Sequence, residues 1–381
     1  MNLSSRKSVL YAWVGWALLF LTAAAIIASG GTRTVVPSYR IAAWNWIAGG
    51  PLYNGDGIGG FVYFPQAAVL YIPFAIFPPV VGEVLWRLVI IAVFAAGVRS
   101  FSRLAGERQA KELFPLASIL AIAMAWDCAR NGQSTLIMAG FMLLAVVGMA
   151  RRQWWRATLW LALAVALKPL AIVLVLLVMA IDRHMSWRVL LGMLILALSP
   201  FLLQHPSYVM QQYVSFVQNS AAAAHVAVVG HGWTSPFTAL RVAGVNVPEQ
   251  VQTVIRLVAA AGTLALCFVV QRRQYPARTA VFVYALAALY IILFSPRTEN
   301  NTYALLGPAM GLFLADAFVS KRTAEGIFLA VIALADLGSR TIERMIAPEA
   351  DPVWLSPLMA AVFAGYVLVR LFKNNAAVQR A

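Results

Sequence analysis

The sequence is short of charge. Charged residues make up only 11% of the 381 positions, against about a quarter in a soluble globular chain, while 62% are hydrophobic. Too few charged side chains remain to coat a water-facing surface, and a mean hydropathy of +0.79 makes lipid the solvent for most of the chain. Negative charge is the scarcer sign, 14 acidic residues against 29 basic ones, for a formal net charge of +15. Cysteine is nearly absent. Cys128 and Cys267 both sit in or beside apolar runs, which excludes a disulfide framework and a cysteine-based metal site. No acidic cluster calls for a metal, and no cofactor is predicted. Low-complexity tracts, sequence repeats and a separate soluble domain are also missing, and no basic patch is interleaved with aromatics in the manner of a nucleic-acid surface.

What is present is a series of long apolar runs. A spanning helix needs about 20 apolar residues. Runs of full or reduced length fall near 8–29, 81–99, 112–128, 134–150, 157–168, 170–181, 187–203, 250–270, 278–296, 302–319, 323–341 and 353–372. The expectation is an all-α polytopic membrane protein of about twelve transmembrane helices. The first run continues past Ala23-Ala24-Ala25 through Ile26 and Ile27, so it reads as a helix and not as a cleaved signal peptide. The runs 157–168 and 170–181 are too short for two full spans, and Lys168-Pro169 divides them. They read as a hairpin of half-length helices.

Most basic residues lie in short clusters between runs, among them Arg99 to Lys111, Arg151 to Arg156, Arg272 to Arg278, and Arg370 to Arg380. If segment 60–79 lies along the surface instead of spanning, every cluster falls on one side. The positive-inside bias selects that arrangement. It predicts a multi-pass protein of the bacterial plasma (inner) membrane with N- and C-termini cytoplasmic. The outer face then collects loop 30–80, the turn Asp127 to Gln133, the tip Lys168-Pro169, loop 204–249, the turn Ser295 to Thr302, and loop 342–352.

Polar side chains gather on that face. Loop 30–80 carries Arg40, Asp56 and Tyr63. The turn after the third run holds Asp127, Arg130, Asn131 and Gln133. His231 lies in loop 204–249, and Arg297, Glu299 and Asn300 follow the ninth run. Each has a bland alternative. Asp56 sits in Asn54-Gly55-Asp56-Gly57, which is ordinary turn chemistry; Asp127 and Arg130 fit a local ion pair; Lys168 fits a snorkelling side chain. His225 reads as packing, and Arg340, Glu343, Arg344 and Glu349 read as a solvated outer face. Asp316 and Asp336, inside apolar runs, have no assigned role. Collectively the groups suit sugar transfer from a phosphorylated lipid. Cations stabilise phosphate charge, a carboxylate serves a hydroxyl nucleophile as general base, and apolar surroundings accept a lipid tail.

Several stretches carry a resemblance. Tyr39-Arg40-Ile41-Ala42-Ala43-Trp44, Gly50-Pro51-Leu52-Tyr53, Phe61-Val62-Tyr63-Phe64-Pro65 and Phe77-Pro78-Pro79 resemble the first outer loop of glycosyltransferase family 87. Asn131-Gly132-Gln133, Ala164-Val165-Ala166-Leu167-Lys168-Pro169 and Ser295-Pro296-Arg297 with Glu299-Asn300-Asn301 follow in the family's order. The resemblance covers roughly residues 10–320. It implies the C-type membrane glycosyltransferase fold with surface-lying helices in the first outer loop. It also implies one transmembrane domain, 1–381, made of a conserved seven-helix module (1–203, with outer loop 30–80), a second large outer loop (204–249) and variable C-terminal helices (250–381).

By the same resemblance the donor is a polyprenyl-phosphate sugar, as in the family's mannosyltransferases, and the acceptor is a lipid or glycan hydroxyl on the outer face. The chain departs from the family at one point. An acidic residue expected shortly before Tyr39 is missing, and Thr34, Val35 and Val36 stand there. Asp56, the sole acid between 30 and 80, is the first candidate for the catalytic base and Asp127 the second, with Glu299 also open. Arg40, Tyr63, Arg130, Asn131, Gln133, Lys168, His231, Arg297, Glu299 and Asn300 are the candidate substrate-binding residues. Two alternatives stay open: a lipid or solute transporter, and a catalytically inactive member of the family.

Overall fold

The computed structural model describes residues 3–53, 60–107, 111–225, 233–347 and 353–373, without the side chains of residues 3–5 and 223–225. Among the described residues the secondary structure is helical throughout, with no strands. The elements are α1 (Leu3–Ala28), α2 (Val36–Ala48), α3 (Pro65–Ala75), α4 (Pro79–Gly106), α5 (Phe114–Asn131), α6 (Thr135–Ala150), α7 (Trp154–Leu167), α8 (Ile172–Ile181) and α9 (Arg183–Leu198). They continue with α10 (Pro206–His225), α11 (Pro236–Val242), α12 (Glu249–Arg273), α13 (Pro276–Phe294), α14 (Leu306–Val319), α15 (Thr323–Leu337), α16 (Ser339–Ile346) and α17 (Leu355–Lys373).

The twelve apolar runs all fall on helices. Among the described residues seven helical segments are long and apolar enough to cross a membrane: α1, α4, α9 with its 3-10 extension to Leu202, α12, α13, α14 with the preceding 3-10 turn, and α17. The remaining runs form the shorter helices α5, α6, α7, α8 and α15. Of the twelve runs, expected at full or reduced length, seven thus lie on helices of full spanning length and composition among the described residues. Segment 60–79 contains only α3, whose 11 residues reach about 16 Å at 1.5 Å per residue. That is about half of a hydrocarbon core. α3 packs on α2 and also touches α4 and α7.

Buried and exposed apolar surface separate the helices into an inner and an outer set. The spanning windows of α13 and α14 are 78% buried, against 11% for α12. α6 is buried along nearly its whole length between α4, α7 and α13. The bare faces of α9 and α12 carry Leu190, Leu194, Val254 and Val258, a surface suited to lipid.

Small residues let the inner helices approach. A β-carbon on Gly140 of α6 would stand 2.7 Å from the Val93 carbonyl oxygen of α4, and one on Gly97 would stand 2.8 Å from the Gly140 carbonyl oxygen. Close helix contact through small residues is the usual solution in lipid. Gly140→Val is expected to cost about 1–3 kcal/mol through overpacking, read as a lower unfolding midpoint in detergent.

Helix ends follow local chemistry. Pro65, Pro79 and Pro276 open α3, α4 and α13 at their first turns, where the missing N–H is not needed. Lys168 is extended, at φ −154° and ψ 118°, because the residue before a proline is driven out of the helical region. Trp154 at the start of α7 stacks on His184, two residues beyond the Asp182 cap that follows α8. α7 and α8 thus begin and end at the same level, as a half-length hairpin with Lys168 at its tip.

Ion pairs define one end of the bundle. Arg151 meets Glu107 at 2.5 Å, Lys111 meets Asp316 at 3.1 Å, Arg370 meets Asp316 at 3.6 Å, and Arg322 pairs with both Asp316 and Glu325. Asp316, which the sequence left without a role, is the hub of this cluster. The opposite end is closed by α2, α3, α10, α11 and α16 and holds the sites described next.

Glu343 differs from expectation. Instead of lying on a solvated face it is 1% exposed, with Oε1 accepting the backbone N–H groups of Trp354 and Leu355 at 2.6 and 2.5 Å. Burial raises its pKa above the ordinary value, opposed by those two hydrogen bonds. Arg340 and Arg344 are exposed as expected. Glu349 lies outside the described residues.

Candidate functional site

Chain geometry first brings two short stretches together. Gly132 ends α5 in the left-handed region at φ 66°, and a β-carbon there would lie 2.4 Å from Val36 Cγ2. Only glycine allows that contact. The turn lets Val35 N–H donate to the Asn131 carbonyl at 3.0 Å and Trp86 Nε1 donate to the Gly132 carbonyl at 2.8 Å. Arg87, fully buried, donates to Glu83 Oε2 at 2.9 Å, to Thr34 Oγ1 at 3.1 Å and to the Arg130 carbonyl at 2.9 Å. Thr34 Oγ1 in turn donates to Glu83 Oε2 at 3.0 Å. One guanidinium therefore joins the start of α4, the entry to α2 and the end of α5.

Above this joint lies a hollow of about 430 Å³, lined by Thr34, Val35, Asn45, Leu52, Tyr63, Gln133 and Glu299 among others. Gln133 Nε2 donates to Glu299 Oε2 at 3.4 Å. The Tyr39 and Tyr63 hydroxyls are 3.1 Å apart, and Ser134 N–H donates to the Tyr39 oxygen at 3.3 Å. Desolvation holds both phenol pKa values above normal, so each stays a neutral hydroxyl; for Tyr39 the neighbouring Tyr63 adds to the rise, and for Tyr63 the hydrogen bond shared with Tyr39 opposes it. Lys168 Nζ donates to Thr135 Oγ1 at 2.7 Å and acts electrostatically on Tyr39. The hairpin tip thus delivers a cation to this corner. Arg297 lies 6.0 Å over the Trp233 ring and donates to the Ser220 carbonyl at 3.3 Å. Burial lowers its pKa, and Glu299 opposes the shift.

The sequence candidates sort as follows. Tyr63, Gln133 and Glu299 line the hollow, and Lys168 stands beside it. Arg40 lies on the other face of α2, where Nη1 donates to the Phe77 carbonyl at 2.8 Å and holds α2 to the turn after α3. Arg130 and Asn131 meet the joint through their backbone carbonyls. Asp56 and His231 lie outside the described residues, although Leu52 and Gly60, on either side of residues 54–59, both line the hollow. Asp127 and Asn300 face elsewhere. They line a second hollow of about 160 Å³ with Trp126, Tyr303, Asp336, Ser339, Arg340 and Ser356. Asp127 pairs there with Arg340 at 4.0 Å, not with Arg130.

Glu83, Arg87, Ser134 and Thr135 were not anticipated. Glu83 and Arg87 carry a readable signal: opposite charges four residues apart at the start of an apolar span. Glu83 also places a carboxylate beside Thr34, where the sequence lacks one. Among the described residues no three His, Cys, Asp or Glu side chains gather as a metal site.

The arrangement offers a carboxylate, an amide and neutral hydroxyls around a hollow, with a lysine at its corner. A search of curated proteins finds none that matches. The sequence model of glycosyltransferase family 87 matches residues 61–296, more than half of the chain. The match takes in Tyr63, Gln133 and Lys168 and stops three residues before Glu299.

Proposed function

The chain belongs to glycosyltransferase family 87, a membrane glycosyltransferase, and from that premise we propose that it moves a hexose from a polyprenyl phosphate to a hydroxyl acceptor in the larger hollow. A carboxylate takes the acceptor proton, the acceptor oxygen bonds to the anomeric carbon, and the bond from that carbon to the phosphate oxygen breaks with inversion. The polyprenyl phosphate leaves with the bond's electron pair. Lys168 stabilises that phosphate, with Arg297 as a second cation. Gln133 orients the carboxylate, and the Tyr39–Tyr63 pair presents neutral hydroxyls to the sugar. Glu299 is the proposed base, because it is the one carboxylate among the described residues that lines the hollow; Asp56 is the alternative. The basic end of the bundle is read as cytoplasmic by the positive-inside bias, which puts both termini inside and the hollow outside.

The observation that carries this reading is the meeting of Lys168, Gln133 and Glu299, from three distant stretches, at one end of the helices. The test is transfer of labelled hexose from a polyprenyl-phosphate donor by the purified protein in nanodiscs. Lys168→Ala is expected to raise the donor KM about 10–100-fold, the loss of one charge-assisted hydrogen bond. Movement of labelled lipid across vesicles with no glycosidic product would overturn the assignment.

A further inference from the structure

The second hollow plays no part in the chemistry proposed above. Its mouth lies between Asp127 and Arg340, both partly exposed, and its floor is formed by Asp336 and Ser356. Asp336 is 7% exposed; Ser356 hydrogen-bonds to its carboxyl, while Oδ1 has no hydrogen-bond partner. A buried carboxylate oxygen without a donor is costly and calls for an occupant that supplies one. Charge narrows the occupant. Asp127 and Asp336 together oppose an anion. Arg340, beside Asp127, opposes a cation. A neutral molecule rich in hydroxyls satisfies both constraints, and the indole of Trp126 at the wall offers an apolar face to a sugar ring. At about 160 Å³ the space holds roughly five waters at about 30 Å³ each, the scale of one such ring and not of a lipid tail.

We propose that this hollow is a carbohydrate subsite that seats one neutral sugar unit of the acceptor, with Asp336 and Asp127 accepting its hydroxyl protons. The wall between the two hollows is a single turn. Glu299 faces the larger one and Asn300 and Tyr303 the smaller, while Cys128 Sγ donates to the Asn301 carbonyl at 2.9 Å and pins the turn to α5. An acceptor of two or more sugar units bridges the rim. Resting on the glycosyl-transfer reading, the subsite makes the acceptor a glycan chain and not a simple lipid alcohol.

The test needs neither donor nor turnover. Full-length protein in nanodiscs is titrated with methyl hexosides and methyl hexobiosides, and binding is followed by saturation-transfer NMR. A hexobioside is expected to bind saturably, and Asp336→Asn and Trp126→Ala are each expected to weaken it at least about tenfold. Asp336→Asn is nearly isosteric and puts a neutral amide in the buried position, so its unfolding midpoint is expected not to fall; if it fails to fold, Trp126→Ala carries the test. In the transfer assay Asp336→Asn should raise the acceptor KM and leave the donor KM unchanged. No saturable binding, or binding indifferent to both substitutions, overturns the subsite even where transfer is observed. Saturable binding lost in both variants sustains it even if no lipid-phosphate donor proves active.

Discussion

Glu299→Gln is expected to lower kcat for sugar transfer by about 10²–10⁴-fold, the usual contribution of a general base, while leaving the unfolding midpoint unchanged. The substitution keeps shape and removes only the proton-accepting charge. Glu299 holds its own turn through its backbone carbonyl, which accepts Thr302 N–H at 2.8 Å. Its side chain meets Gln133 at 3.4 Å, a contact that an amide can also make. Nothing structural therefore depends on the ionised form. Asp56→Asn, assayed beside it, separates the two carboxylates. A wild-type kcat in Glu299→Gln with a loss in Asp56→Asn would move the base to Asp56. Wild-type kcat in both would remove carboxylate catalysis from this hollow.

The helices were legible because a twenty-residue apolar run has few alternatives in lipid. The hairpin was legible for a local reason: proline at 169 forces Lys168 out of the helix. The site was legible only in part. Asp127 and Gln133 are six residues apart and look like one polar turn, yet they serve different hollows, because Gly132 reverses the chain between them and each finds a partner far away in sequence. Asp127 meets Arg340, and Gln133 meets Glu299. Glu299 and Asn300 are adjacent and diverge in the same way. Which wall a residue faces depends on helix phase and on a distant partner, and composition encodes neither. Glu343 was misread for the same reason, since the backbone N–H groups that it caps belong to a segment eleven residues on.

The joint beneath the hollow yields the largest stability effect. Glu83→Ala is expected to destabilise the protein by about 3–5 kcal/mol, because it leaves the guanidinium of Arg87 buried without its counter-charge. Arg87 is fully buried, and the Glu83 side chain is 14% exposed, so water cannot readily replace the lost carboxylate. The double substitution Glu83→Gln with Arg87→Met is expected to recover most of that loss, since an apolar or neutral pair of similar volume commonly does as well as a buried ion pair. Sugar transfer should not recover with it. Arg87 is what ties Thr34 and the Arg130 carbonyl together, and Thr34, Val35 and Gln133 are walls of the hollow. A methionine restores packing without restoring that registration, so the double variant should fold and still show a reduced kcat. Denaturant unfolding in detergent together with the transfer assay separates the two effects. If Glu83→Ala lies within about 1 kcal/mol of wild type, the range of ordinary surface changes, the pair is not the clamp that sets the shape of the site.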